Sequence, residues 1–421
     1  MAPGWPTELG TSSGLVPAAE EAVEIASALI RCRSVTGPGA EVDAVARLDA
    51  ILAAVPGVER RIAAARPDRP NLIARVRGRE PGPTLLLTGH LDVVPADEAR
   101  WDRPPFEPEV VDGELWGRGS VDMKGGLAAL TAAFLDVARR GGPVCGTVVL
   151  AATADEEGEG RWGLPWLISD GQLQVDAAVI AEPAGLEADF DRVPVATRGS
   201  GFATVTVTGP GGHASFGRAL GPHAVAIACR MQQELEERFS PSPATHWAFP
   251  DGPTVVAGEH FHGGERPGEL PRRAQFSVSC RLLPGAARED FLPELSAFLE
   301  PLVPSGSSLR IELAGELESW ASGMSLDPAH PLAEIAIKAV RRAGYPDAQP
   351  GGFAAFSEGS FLAAAGVPTL PALGPGAIRG THLPNERVRI DAIAASVSVY
   401  CEIIDELLRP DSPVVSTKGP A

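Results

Sequence analysis

Apolar residues recur at helical spacing over Pro17–Ile30 and over 41–54, and two strand-like runs follow at 71–76 and 84–88. That pattern predicts two helices and then two buried strands. An alanine- and leucine-rich helix is expected over 123–139, starting at Asp122. Apolar strands are expected at 147–152 and 176–180. Strands that alternate with helices, each apolar without polar interruption, indicate a mostly parallel sheet covered on both faces. Near Arg198 the period changes. FATVTVT at 202–208 and AQFSVSCRL at 274–282 alternate as strands with one wet face do, with amphipathic helices expected at 224–237 and 289–299 and a last strand at 308–313. Three strands and two helices in this sequence fit a βαββαβ order in which one strand is not marked by its pattern, and that order predicts a small ferredoxin-like α+β domain inserted into an α/β domain. Helices at 331–343 and 391–408 then resume the first domain. The expected division is 1–198 and 316–421 for the α/β domain and 199–315 for the insertion.

The passage WDRPPFEPEVVDGELWGRGSVDMKGG, from Trp101 to Gly126, is rich in turn residues but carries Trp101, Phe106 and Trp116, which need burial. It reads as a long ordered loop. The chain holds 47 glycines and 40 prolines among 421 residues, which makes it loop-rich but below the level of a disordered chain.

Charge narrows the function. A net charge of −18 disfavours binding to phosphate backbones and anionic lipid, so neither a nucleic-acid nor a membrane role is expected. Cys32, Cys145, Cys229, Cys280 and Cys401 are odd in number, widely spaced and without a CxxC pair. They read as reduced, mostly buried thiols of a cytoplasmic protein. The first residues show no basic patch with an apolar core, and no run reaches the length of a membrane span.

Candidate chemistry gathers at the ends of the expected strands. His90 and Asp92 follow TLLLT, Glu156 and Glu157 follow TVVLAA, Glu182 follows DAAVI, and His382 follows PTLPAL and a glycine loop. Alone, the His90-x-Asp92 pair also suits a turn with a hydrogen-bonded histidine, and DEEGE also suits a solvated acidic loop. In an open α/β sheet, however, the carboxyl ends of the strands converge on one crevice. Residues far apart in sequence then meet, with Asp122 joining them at a helix start. Histidines and carboxylates without cysteine suit zinc, cobalt or manganese in a hydrolytic site, in which a carboxylate bridges two ions and another serves as base.

The stretches TLLLTGHLDVVP, LWGRGSVDMKGG, TADEEGEG, AEP, GPGGHAS, and GPG followed by THLPNE stand in order along the chain. Together they resemble the acetylornithine deacetylase, succinyl-diaminopimelate desuccinylase and carboxypeptidase G family of two-zinc amide hydrolases, with a zinc-peptidase-like catalytic domain. The resemblance implies two divalent ions bridged by Asp122, one completed by His90 and Glu182 and the other by Glu157 and His382. It makes Asp92 the residue that orients His90 and Glu156 the general base. The peptide after Asp122 is often cis in that family. His213 matches a histidine that reaches into the partner subunit's site to stabilise the oxyanion, which implies a homodimer formed through the inserted domain. Arg281 matches an arginine that grips a substrate carboxylate, although Cys280 stands where members often carry Asp. Gly374 and Gly376 fall in the substrate-binding glycine loop. Phe356, Ser357, Glu358 and Gly359 are nearer the deacetylase branch, and Glu182 leans toward acylase chemistry. The expected activity is removal of a small acyl group from an N-acylated amino acid or related amine. A carboxypeptidase or dipeptidase, and a catalytically silent metal-binding relative, are the alternatives. The remaining histidines, His223, His246, His260, His262 and His330, are read as structural.

Overall fold

The computed structural model describes residues 17–314 and 320–412. The stretch 1–16, on which the expectation about the first residues rests, and the expected boundary between 315 and 316 lie outside the described residues.

The first domain begins with helices α1 (Pro17–Ile30) and α2 (Val42–Ala53) and strands β1 (Glu59–Ala63), β2 (Asn71–Arg77) and β3 (Glu80–His90). Helix α3 (Lys124–Arg139) and strands β4 (Cys145–Thr153) and β5 (Ala177–Ile180) follow. The inserted part runs β6 (Gly199–Thr208), α4 (Ala224–Arg238), β7 (Thr254–Gly263), β8 (Arg273–Leu282), α5 (Arg288–Leu299) and β9 (Ser308–Leu313). The chain returns through α6 (Pro331–Arg342), β10 (Thr369–Leu370), β11 (Gly374–Ala377) and α7 (Ile390–Leu407).

The central sheet has the order β1-β2-β4-β3-β5-β10. Strands β4, β3, β5 and β10 are parallel, as the apolar runs predict, but β1 and β2 are antiparallel to their neighbours. The sheet is therefore mixed at one side. Connection length explains the difference. A parallel crossover needs a dozen or more residues, whereas β1–β2 is closed by 64–70 and β2–β3 by Gly78 and Arg79 alone, so the chain can only reverse. Helix α3 is apolar on every side, which is the mark of a fully enclosed helix. It is buried from Lys124 to Ala138 except at Asp136, between the sheet and helices α1 and α7.

A separate apolar cluster serves the inserted part. Val205, Val207, Phe276 and Val278 of its sheet pack on Ile227, Met231 and Leu235 of α4 and on Phe291 and Leu295 of α5. The sheet is antiparallel throughout in the order β7-β8-β6-β9. Trp320 and Ala321 also pair with Gly201 and Ser200, so pairing to this sheet continues beyond residue 314.

The long loop is ordered by guanidinium groups stacked on its aromatic rings. Arg33 lies 4.6 Å from the centre of Phe106, Arg118 5.2 Å from Trp101, and Arg387 4.7 Å from Trp116. All five thiols are free; Cys145 and Cys280 are buried and Cys32 and Cys401 half-buried, so burial is less general than expected, and Cys229 is exposed on the polar face of α4. Among the described residues no helix is long and apolar enough to cross a membrane.

Candidate metal centre

Strand ends deliver the site. His90 is the last residue of β3, Glu156 and Glu157 stand in the turn after β4, Glu182 lies just beyond β5, and Asp122 precedes α3. His382 comes from the loop after β11, with φ of 60°, a left-handed conformation uncommon for a residue with a Cβ.

The carboxylate of Asp122 faces both ways. Its Oδ1 lies 3.2 Å from His90 Nε2 and its Oδ2 3.2 Å from His382 Nε2. On the first side Glu182 Oε1 is 3.6 Å from the same His90 nitrogen, and on the second Glu157 Oε1 is 3.0 Å from His382 Nε2. Within His90, Asp122 and Glu182, and again within Asp122, Glu157 and His382, one ligand atom from each residue lies within 4.8 Å of the others. Glu156 Oε2 stands 3.8 Å from His90 Nε2. The peptide between Asp122 and Met123 is cis.

Asp92 does two things through different atoms. Its backbone carbonyl accepts a hydrogen bond from His90 Nδ1 at 2.9 Å, while its nearer carboxylate oxygen is 3.7 Å from that nitrogen. The carboxylate instead accepts the backbone N–H groups of Glu156 at 3.1 Å and Glu157 at 3.0 Å. One buried aspartate thus sets the direction of both the histidine and the two glutamates.

Electrostatics fit a pair of cations. Burial, reinforced by the charge of Asp122, pushes the Glu182 carboxyl up to about 7, and burial among neighbouring carboxylates raises Glu156 and Glu157 as well. Hydrogen bonds to Asp122 and Glu157 push the His382 imidazole up to about 10. Burial acts to raise Asp122, but its bonds to His382 and His90 outweigh it and hold that carboxyl well below the usual range. Four carboxylates therefore share two imidazoles as their nearest positive partners. Histidine and carboxylate donors without a thiolate suit borderline-hard divalent ions, and the residues present fit two of them.

Sequence reasoning missed the residues that hold this cluster in place. Glu386, the last residue of THLPNE, is buried, and its Oε1 accepts the backbone N–H groups of Val121 at 2.9 Å and Asp122 at 3.1 Å. Its Oε2 pairs with the buried Arg118 at 2.5 Å. Glu41 and Asp155 share Arg69 at 2.7 and 3.3 Å, and Asp155 in turn accepts the N–H groups of Glu159, Arg161 and Trp162. Glu358 spans the same turn from the other side, accepting from Thr153 Oγ1 at 3.3 Å and from the N–H of Leu164 at 3.2 Å. The available signal was their place within the motif stretches, Asp155 in TADEEGEG and Glu386 in THLPNE.

Other expected site residues stand apart from the cluster. His213 is exposed on a two-residue strand paired with Glu269, and its Nδ1 accepts the N–H of Ser215 at 3.2 Å. Arg281 is exposed on β8, with its guanidinium 5.9 Å from the centre of the Phe202 ring. Gly374 and Gly376 have a packing role that any side chain would disturb. A Cβ on Gly374 would lie 2.1 Å from the carbonyl oxygen of Ala181, and one on Gly376, whose φ is +94°, 2.7 Å from Val121. These glycines let β11 approach the backbone that carries Glu182 and Asp122.

A parallel-sheet crevice with histidines and carboxylates at its strand ends defines an α/β protein with a metal-type site. The chain belongs to peptidase family M20/M25/M40, whose description matches residues 86–406. A succinyl-diaminopimelate desuccinylase of Cereibacter sphaeroides is 30% identical over 91% of this chain and 98% of its own length. One of the same name from Rhodospirillum centenum is 38% identical over 47% of this chain, and there the chain spans about half, 52%, of the relative. A dinuclear metal-binding peptidase of the M20 family from Bacillus subtilis shares the fold, with a TM-score of 0.67 at 15% identity over 93% of this chain and 98% of that one.

Proposed function

We propose that this chain is a two-metal amidohydrolase that cleaves the acyl group from an N-acylated amino acid, with N-succinyl and N-acetyl amino acids as the substrate class. The observation that carries the reading is the two-sided placement of Asp122 between His90 and His382, with Glu156 Oε2 beside it, 3.8 Å from His90 Nε2. Relatives named as desuccinylases support the acyl amino acid class.

His90, Asp122 and Glu182 would hold one divalent ion, and Asp122, Glu157 and His382 the other, with zinc first and cobalt or manganese accepting the same donors. Such ions supply Lewis-acid polarisation of the scissile carbonyl and a lowered pKa for water. The remaining steps belong to the chain. Glu156 takes one proton from the attacking water as the new C–O bond forms, and returns it to the amine nitrogen as the C–N bond breaks. The raised affinity of Glu156 for protons, caused by burial, suits a group that must hold and then release one. Asp92 holds Glu156 and Glu157 in place by their amides. His213 and Arg281, on the inserted ferredoxin-like domain, are proposed to reach the substrate on domain closure, His213 across a homodimer formed through that domain and Arg281 to a substrate carboxylate. Gly374 and Gly376 shape the substrate loop beside them. The free thiols accord with a cytoplasmic setting.

The test is amine release by metal-loaded protein from a matched panel: N-succinyl-diaminopimelate, Nα-acetylornithine, other N-acetyl amino acids, and dipeptides, with Glu156→Ala as the blank. Acylated amino acids are expected to turn over fastest. Faster release from dipeptides would replace the reading by a peptidase, and no release from any compound would leave a non-catalytic metal protein.

A further inference from the structure

The edge of the central sheet remote from the metal-type cluster carries a second polar site, where the amino ends of β3 and β4 meet the carboxyl end of the antiparallel β2. Pairing places Arg77, Thr147 and Thr84 in one row across β2, β4 and β3, and Arg75 beside Val149 in the next. Arg61 of β1 sits opposite Ile73, one row further on. Since side chains alternate across a sheet, all of these lie on one face. It is the face turned away from α3, because on β3 Gly89 packs on Met123 and Leu127 while Thr84, Leu86 and Thr88 point the other way.

A cavity of about 470 Å³ opens on this face, lined by the three arginines, the two threonines and Gln172 among others. None of its lining residues is acidic, in a chain whose net charge is −18. The neighbouring carboxylates are already engaged. Glu59 accepts from Arg77 at 3.1 and 3.3 Å, Asp170 accepts from Gln172 at 2.5 Å, and Asp176 accepts from the N–H of Thr84 at 2.9 Å. Arg75 stands across from Glu59 and helps Arg77 to hold that carboxyl below its ordinary range, but the hydrogen bonds of Arg61 and Arg75 at the cavity go to neutral acceptors. Arg61 donates to the side-chain oxygen of Gln172 and, at 2.9 Å, to its carbonyl, and Arg75 donates to the same carbonyl at 3.3 Å. Arg75 Nε is buried with no hydrogen-bond partner. A buried donor left unpaired is costly, and more so when it is charged. Partial burial and the adjacent Arg75 charge hold the Arg61 guanidinium below its ordinary pKa. Three guanidinium groups thus surround one cavity whose own lining carries no carboxylate.

We propose that this cavity binds a compact multivalent oxyanion, of the size and charge of inorganic phosphate. The planar fork of arginine matches such oxygens, and the hydroxyls of Thr84 and Thr147 add neutral donors. A cation is excluded by the absence of carboxylate, imidazole or thiolate from the lining, and a polyanionic chain by the acidity of the rest of the protein. Thr84 and His90 are six residues apart on one strand, about 20 Å, so occupancy here does not compete with ligands at the metal-type cluster.

The experiment is calorimetric titration of inorganic phosphate, and separately of sulfate, into the metal-loaded full chain at constant ionic strength set with chloride. Binding at one site per chain is expected, weakened about tenfold or more by Arg75→Gln and by the surface changes Arg61→Gln and Arg77→Gln. Metal content and amide hydrolysis in phosphate-free buffer should be unchanged in the Arg61 and Arg77 variants, which remain informative if Arg75→Gln fails to fold. Equal phosphate affinity in the parent and in all arginine variants would place the anion at the metal ions and overturn the proposal. Equal displacement by chloride alone would reduce the cavity to a screened basic patch and overturn it as well.

Discussion

Glu386 holds Asp122 from behind: its Oε1 accepts the Asp122 N–H at 3.1 Å and that of Val121 at 2.9 Å, while its Oε2 is paired with Arg118 at 2.5 Å. The residue that faces both histidines is thus positioned by a carboxylate that touches neither. Glu386→Gln keeps the shape but offers the two amides a weaker, neutral acceptor and leaves Arg118 buried without its counter-charge. Groups behind metal ligands commonly affect affinity by about 10- to 100-fold, and a loss of that size is expected. Competition with a chelating dye measures it, and unchanged affinity would reduce Glu386 to a folding role.

Asp92→Asn tests a different support. An asparagine oxygen can replace only one of the two carboxylate oxygens that accept the amides of Glu156 and Glu157. Losing one charge-assisted bond costs about 1.5 to 3 kcal/mol, and the glutamate turn is expected to loosen. Hydrogen exchange at those two amides should accelerate, with turnover falling together with retention of the second metal.

Glu156→Ala separates chemistry from metal binding. Turnover should fall by about 10²- to 10⁴-fold, the usual contribution of a general base, while the bound-metal content stays at the parent level. A variant with near-parent rates would remove Glu156 from that role.

Metal uptake should release protons. In the metal-free chain His382 is raised to about 10 by its bonds to Asp122 and Glu157, so at pH 7 to 8 its imidazole is protonated and a cation must displace that proton. The sign follows: apparent affinity falls as pH drops below 10, because proton competition increases. Binding heats measured in buffers of different ionisation enthalpy report the proton count. No dependence on buffer would contradict the assignment of His382 as a ligand. The hydrogen bond itself also stabilises the metal-free fold at low pH, fully below the unfolded value near 6.5, and that stabilisation fades as pH rises through about 10.

His213→Ala tests closure across a dimer. Its side chain is exposed, with Nδ1 accepting the N–H of Ser215, so stability and metal content should be unaffected while kcat drops. Light scattering of the parent chain should give twice the mass of a single chain. A monomer with full activity would exclude the shared-site arrangement.

The local sequence determined much of this protein, because hydrophobic period is a local property. The apolar runs at 84–88, 147–152 and 176–180 became β3, β4 and β5, and the alternation in AQFSVSCRL became β8, buried on one face. Histidine and carboxylates at strand ends were legible for the same reason, since a parallel sheet gathers its carboxyl ends. Strand β7 was harder to read, because an edge strand with mostly exposed residues shows no alternation. Only the tertiary structure decided that Asp92 addresses His90 through its carbonyl and the glutamates through its carboxylate. Only it, too, revealed Glu386 behind Asp122, and Arg61, Arg75 and Arg77 around one cavity. The contact between Asp122 and Glu386 joins residues 264 positions apart in sequence. Such relationships depend on which atom of a side chain points where, which follows from packing between distant segments and leaves no period in the chain for pattern to reveal.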